Sequence, residues 1–153
     1  MLPILFIALR WGAGPGMMTG LVYGLVQFAL GPFIISPVEL VLDYPLPYML
    51  VGLAGIFKNK INLEAKGKGR IYGWLSLAVF TGGLGRFISH FLSRIIFFAQ
   101  YVPEGQSSLV YSAISNISYL LPSLFLSYII IIPLAKNVII NEGKRKRREN
   151  NLC

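Results

Sequence analysis

Four long apolar blocks follow one another in this chain, at 15–35, 39–57, 71–100 and 107–135, and each carries few charges. A helix needs about 20 such residues to cross the hydrocarbon core of a bilayer. A large soluble helical bundle would instead need a polar stripe along each helix, and none of the four blocks has one wide enough. With 55% hydrophobic residues overall, the pattern predicts an all-α integral membrane protein.

The net charge of +8 raises the question of nucleic acid, and the positions of the charges answer it. Lys58, Lys60, Lys66, Lys68 and Arg70 fall in one predicted interhelical loop, and Lys136, Lys144, Arg145, Lys146, Arg147 and Arg148 in the C-terminal tail. Arg10 lies in the turn before the first block, so only Arg86 and Arg94 fall inside an apolar block. This is the positive-inside pattern of a cell-membrane protein. It predicts that the 58–70 loop and the C-terminus are cytoplasmic, with the basic tail against anionic headgroups.

The first ten residues, MLPILFIALR, would make a helix of about 15 Å, half of a bilayer. They lack the basic start and small-residue cleavage site of a signal peptide. Arg10, Trp11 and the break GAGPG follow. The expected organisation is a single membrane domain over 1–153. It has a partial helix at 1–10, four full spans over the apolar blocks, and a basic tail at 136–153. Gly12, Gly16, Gly20 and Gly24 recur every four residues, a ladder that lets helix backbones approach closely in lipid. Packing within the bundle is the expected use, and docking to another subunit the alternative.

Charged residues within membrane helices are costly and usually face an interior or a wet cavity. Glu39 and Asp43 share one helical face, and Pro45 and Pro47 predict an irregular start to that span. Arg86, His90 and Arg94 follow at i, i+4 and i+8, beside a small-residue row of Gly85, Ser89 and Ser93. Asp43 and Arg86 form the natural opposite-charge pair. They serve either as a structural bridge or as an acid that neutralises a bound cation with Arg86 orienting it. His90, between two arginines, is expected to be neutral, a hydrogen-bonding or stacking group. Phe97, Phe98, Tyr101, Tyr111 and Tyr119 cluster near the ends of the last two blocks. They read as an interfacial belt or as an aromatic cage for a flat or cationic ring. No P-loop, HExxH, nucleophile elbow or His/Cys metal cluster is present, and the one cysteine is Cys153. No enzyme and no cofactor are expected.

The stretches VELVLDYPLPYMLVGLAGIF, GRFISHFLSRIIFFAQYVPEG and VYSAISNISYLLPS resemble the thiamine-specific S component of energy-coupling factor transporters, also described as a proton-coupled thiamine transporter family. The resemblance runs from about Pro3 to Pro133. It implies a six-helix membrane subunit that binds thiamine near the outer face, without chemistry on the vitamin. The implied partners are a transmembrane coupling protein and two cytoplasmic ATPases. Asp43 stands at a family glutamate that meets the thiazolium cation, and Tyr44 at an adjacent tyrosine. His90 matches a histidine that packs on the ligand, and Phe98 an aromatic that stacks on the pyrimidine. Tyr111 and Asn116 match ligand contacts, Phe33 falls at a tyrosine, and Arg86 matches a basic position able to pair with the acid. Arg94 stands where the family usually has glycine. The family's first helix, the loop after it and half of the second helix have no counterpart, so the chain reads as a member lacking its first helix. An S component for another vitamin or precursor, and a membrane protein that does not transport, remain the alternatives.

Overall fold

The computed structural model describes residues 1–31, 36–63, 68–97, 102 and 105–135, and the regular structure among them is helical. The elements are α1 (Leu2–Trp11), α2 (Ala13–Ala29), α3 (Pro37–Asp43), α4 (Pro45–Val51), a 3-10 segment (Gly52–Phe57), α5 (Lys58–Leu63), α6 (Lys68–Phe97) and α7 (Ser108–Leu134). Three stretches are long and apolar enough to cross a membrane: Pro37–Ile61, Arg70–Phe97 and Ser108–Leu134.

The distribution of apolar side chains is that of a bilayer protein. Leu77, Phe80, Leu84, Ile88, Leu92 and Ile96 make one exposed apolar stripe along α6. Ile114, Ile117, Leu121, Phe125, Ile129 and Ile130 do the same on α7. Water does not tolerate exposed apolar surface on that scale, whereas lipid does.

Two element boundaries differ from the expected ones. The 15–35 block gives α2, a helix of 17 residues, about 25 Å long at 1.5 Å per residue. That is clearly shorter than the three spans above, of 25, 28 and 27 residues, and residues 32–35 lie outside the described part. Lys58 and Lys60 are helical, in α5, so the predicted 58–70 loop is largely replaced by helix on both sides of residues 64–67.

α1 sits at the centre. Ile4, Leu5, Ala8 and Leu9, the buried face of a period-3.6 pattern, are fully buried against Val51, Ala54, Ile61, Leu75, Ala78 and Ile131. The glycine ladder seats α2 along α4 and the 3-10 segment. Gly16, Gly20 and Gly24 of α2 are buried. A methyl at Gly24 would stand 2.5 Å from the Tyr44 carbonyl oxygen, and one at Gly20 would collide with the Tyr48 carbonyl. Gly52 and Gly55 meet the α2 backbone at Met17 and Ala13 in return. The ladder packs the protein's own bundle, as expected. Gly12, at φ 108°, supplies the left-handed residue between α1 and α2.

The span Pro37–Ile61 is broken where the prolines predict. Pro45 and Pro47 each remove a backbone donor, and the helix divides at Tyr44 (φ −113°, ψ −79°). Its start is fixed by a capping box. The Val38 N–H donates to Ser36 Oγ at 3.4 Å, and the Ser36 N–H to Glu39 Oε2 at 3.2 Å. Basic and aromatic groups gather at one end of the bundle. Lys58 Nζ donates to the Trp11 carbonyl at 3.2 Å, Arg10 lies over the Trp11 ring, and Lys60 lies over Trp74.

Candidate functional site

At the opposite end, α3, α6 and α7 diverge around a cavity of about 440 Å³ lined by Asp43, Tyr44, Arg86, His90, Arg94, Tyr111, Ser112 and Tyr119. The break at Tyr44 makes it possible. It ends α3 at Asp43, and the Ser89 hydroxyl donates to the Leu42 carbonyl at 2.6 Å in the broken turn. The α3 terminus is thereby pinned to the middle of α6.

Asp43 is the hub. His90 Nδ1 lies 2.9 Å from Asp43 Oδ1, and the Ser93 hydroxyl donates to Oδ2 at 2.9 Å. Arg86 Nε donates to His90 Nε2 at 3.5 Å. Arginine can only donate, so this geometry assigns Nε2 as the acceptor and Nδ1–H as the donor to Asp43. The expected direct Asp43–Arg86 pair is therefore replaced by a relay from Arg86 through His90 to the carboxylate. The reason is the neighbouring row of α6: Ser89 and Ser93 are small enough to let α3 close in. Arg86 is turned toward the rings of Tyr48, 4.9 Å from its guanidinium carbon, and Tyr119, at 5.7 Å. Tyr119 also meets the His90 ring edge-on at 6.0 Å.

Asp43 keeps 22% of its side-chain surface and His90 14%, so both reach the cavity while anchored from behind. Tyr44, Tyr111 and Arg86 line it as well. Asn116 lies one turn beyond Ser112 on α7. It is fully buried, and among the described residues neither its amide oxygen nor its amide nitrogen has a hydrogen-bond partner. Such a group costs about 1–3 kcal/mol. Phe33 and Phe98 lie outside the described residues.

Sequence reasoning missed three parts of the site. Ser93 was read only as a small residue, although a hydroxyl one position from Arg94 and one turn from Ser89 was the available signal. Ser112 and Tyr48 offered none beyond their positions on the faces that carry Asn116 and Tyr44. Glu39 shares a face with Asp43 but is 1% exposed and serves the capping box. The Ser36-x-x-Glu39 spacing could have shown this. Among the described residues no cluster of His, Cys, Asp and Glu could hold a metal ion.

Fold and cavity together define a multi-pass helical membrane protein with a polar, aromatic-walled, small-molecule-sized chamber. The family model for "Thiamine transporter protein" (Thia_YuaJ) matches residues 1–141. The thiamine transporter ThiT of Bacillus subtilis is 37% identical over 134 residues, covering 86% of this chain and 70% of that protein. ThiT of Lacticaseibacillus paracasei is 27% identical over 137 residues, covering 86% and 68%. A solved structure of ThiT from Listeria monocytogenes superposes with a TM-score of 0.81 at 25% identity, covering 90% of this chain and 77% of that one. The chain belongs to the thiamine transporter protein family. Its relatives are named as transporters, not enzymes.

Proposed function

We propose that this protein takes up thiamine, binding it in the cavity between α3, α6 and α7 without altering it. The observation that carries this reading is Asp43, a partly exposed carboxylate held by His90 and Ser93 in a membrane chamber walled by tyrosines. Thiamine joins a permanently cationic thiazolium to a flat aminopyrimidine. A carboxylate offsets the first, and aromatic faces suit both rings. The volume falls in the ~300–1,000 Å³ range of small-ligand sites. In this reading Asp43 meets the thiazolium, His90 and Tyr44 pack beside it, and Arg86 orients the acid through His90. Tyr111 and the Asn116 amide supply polar contacts, Phe98 stacks on the pyrimidine, and Phe33 closes the wall.

The protein acts as the substrate-binding S component of an energy-coupling factor transporter. A membrane coupling protein and two ATPase subunits supply the energy. It is one membrane domain whose basic 136–153 tail is cytoplasmic, in line with the basic groups gathered at the end away from the cavity.

Calorimetry on the detergent-purified chain, with thiamine, riboflavin and hydroxymethylpyrimidine as ligands, tests the assignment. Thiamine should bind, and Asp43→Asn should weaken it about tenfold to a hundredfold, the worth of one charge-assisted contact. A neutral pyrimidine fragment should be far less affected. Equal losses for both ligands would remove Asp43 from the cation site, and preferential binding of riboflavin would replace thiamine as the substrate.

A further inference from the structure

The charge of the cavity does not match a purely cationic ligand. Its described lining holds one carboxylate, Asp43, and two guanidiniums, Arg86 and Arg94. With His90 neutral, one positive charge is left in excess. Asp43 is already engaged by the His90 ring and the Ser93 hydroxyl. Arg86 has its own company, donating to His90 and lying against Tyr48 and Tyr119. Arg94 is different. It lines the chamber, is partly buried, and among the described residues has no hydrogen-bond or ion-pair partner. An unpaired charge at membrane depth is costly and marks a ligand pathway, and arginine's planar fork suits a phosphate oxygen pair.

The placement fixes which end of a ligand Arg94 would meet. It lies one helical turn, about 6 Å of rise, beyond His90 toward the free end of α6, and next in sequence to the Ser93 that holds Asp43. A ring cation seated on Asp43 therefore has Arg94 beside it on the side away from Arg86. Thiamine's hydroxyethyl arm, two carbons long, reaches a comparable distance from the thiazolium. A phosphate ester on that arm carries roughly −1.5 to −2 charges at neutral pH. Bound thiamine alone would leave the chamber with two uncompensated positive charges; its monophosphate would leave it close to neutral.

We propose that Arg94 is a specificity-determining residue that makes thiamine monophosphate a ligand of this cavity at least as good as thiamine itself. The assignment rests on the thiamine reading above and deepens it. Tyr111, on the facing helix and also in the lining, is placed to add a hydroxyl donor to the same phosphate.

The test is titration calorimetry of the full chain with thiamine, thiamine monophosphate and inorganic phosphate, on wild type, Arg94→Gln and Arg94→Lys. Wild type should bind the monophosphate as tightly as thiamine or more tightly. Arg94→Gln should lose about tenfold to a hundredfold for the monophosphate while thiamine binding holds or improves. Arg94→Lys, which keeps the charge but not the fork, should fall between. Inorganic phosphate should bind far more weakly than the ester, because the ring supplies most of the contact. Equal weakening of both vitamers in Arg94→Gln would make Arg94 a structural residue and overturn the proposal. So would wild-type preference for thiamine by tenfold or more, or phosphate alone binding as tightly as the ester. If folded wild type binds neither vitamer, the thiamine reading itself fails and this assignment with it.

Discussion

Residues 71–79 and 86–94 belong to one helix, and they turn opposite chemistry toward the same bundle. In the first stretch Ile71, Leu75, Ala78 and Val79 are at most 5% exposed and pack against α1, the 3-10 segment and the C-terminal part of α7. In the second the inward positions are Arg86, Ser89, His90 and Ser93, tied to Asp43, the Leu42 carbonyl and two tyrosines. Lipid gives helices no hydrophobic drive toward one another, so close backbone packing must hold them. The dry end has it, through α1 and through the close approach of α2 to the 3-10 segment at Gly16–Gly52 and Ala13–Gly55. The cavity end gives up packing for charge, an unsatisfied Asn116 amide and a chamber. The comparison teaches a division of labour: one end sets stability, and the other tolerates polar groups whose use lies in binding.

That division is most directly broken at Gly52. A side chain there would strike the Met17 and Gly16 backbone, which cannot yield as a side chain can. Gly52→Val should cost at least ~3 kcal/mol and should abolish the monodisperse peak in fluorescence-detected size exclusion. If Gly52→Val behaves as wild type, the dry end is not what holds the bundle together.

Asn116 sharpens the comparison by having effects of opposite sign. Replacing it with leucine, of similar shape, removes two buried unpartnered polar atoms. Asn116→Leu should raise the stability of the ligand-free protein by ~1–3 kcal/mol and weaken thiamine by a comparable amount. Thermal unfolding with and without thiamine reads both terms. A variant that is less stable without ligand would mean the amide is satisfied in the protein and belongs to its packing.

Much of this was legible in the sequence, and the remainder was not for identifiable reasons. The apolar blocks, the basic end, the break at Pro45 and the internal use of the Gly16–Gly24 ladder follow from period, charge and backbone sterics, which are local. Asp43 and His90 stood out because ionisable residues are rare inside apolar blocks. Their partnership did not, since spacing along α6 cannot give the rotation of α3 about its own axis. The small Ser89 and Ser93 let α3 approach on a row beside the Arg86 stripe, and the direct Asp43–Arg86 pair became a relay. The length of α2 was overestimated because hydropathy continues past Ala29 while the helix ends at a leucine before Gly31. The burial of Asn116 without a partner depends on where α6 places its side chains, which no window on α7 contains.

The smallest effect is expected at the dry end, where a polar contact joins α6 to α7. Ser76 Oγ lies 2.8 Å from both the Tyr72 carbonyl and the Tyr128 hydroxyl. The serine has one proton and the carbonyl can only accept, so Ser76 donates to Tyr72 and Tyr128 donates to Ser76. Ser76→Ala removes the acceptor for Tyr128 and leaves its hydroxyl facing an apolar groove formed by Gly73, Leu77, Phe80, Leu121 and Phe125. Interhelical hydrogen bonds in membrane bundles average ~0.6 kcal/mol, since the hydroxyl finds other partners. The variant should therefore unfold only slightly earlier in a thermal melt. Its thiamine affinity should be unchanged, because Ser76 lies ten residues, about 15 Å of helix, from Arg86 and shares no partner with it. A tenfold loss of thiamine binding in Ser76→Ala would show that the α6–α7 contact at the dry end sets the width of the chamber at the other, and the two ends of the helix would have to be treated as one mechanical unit.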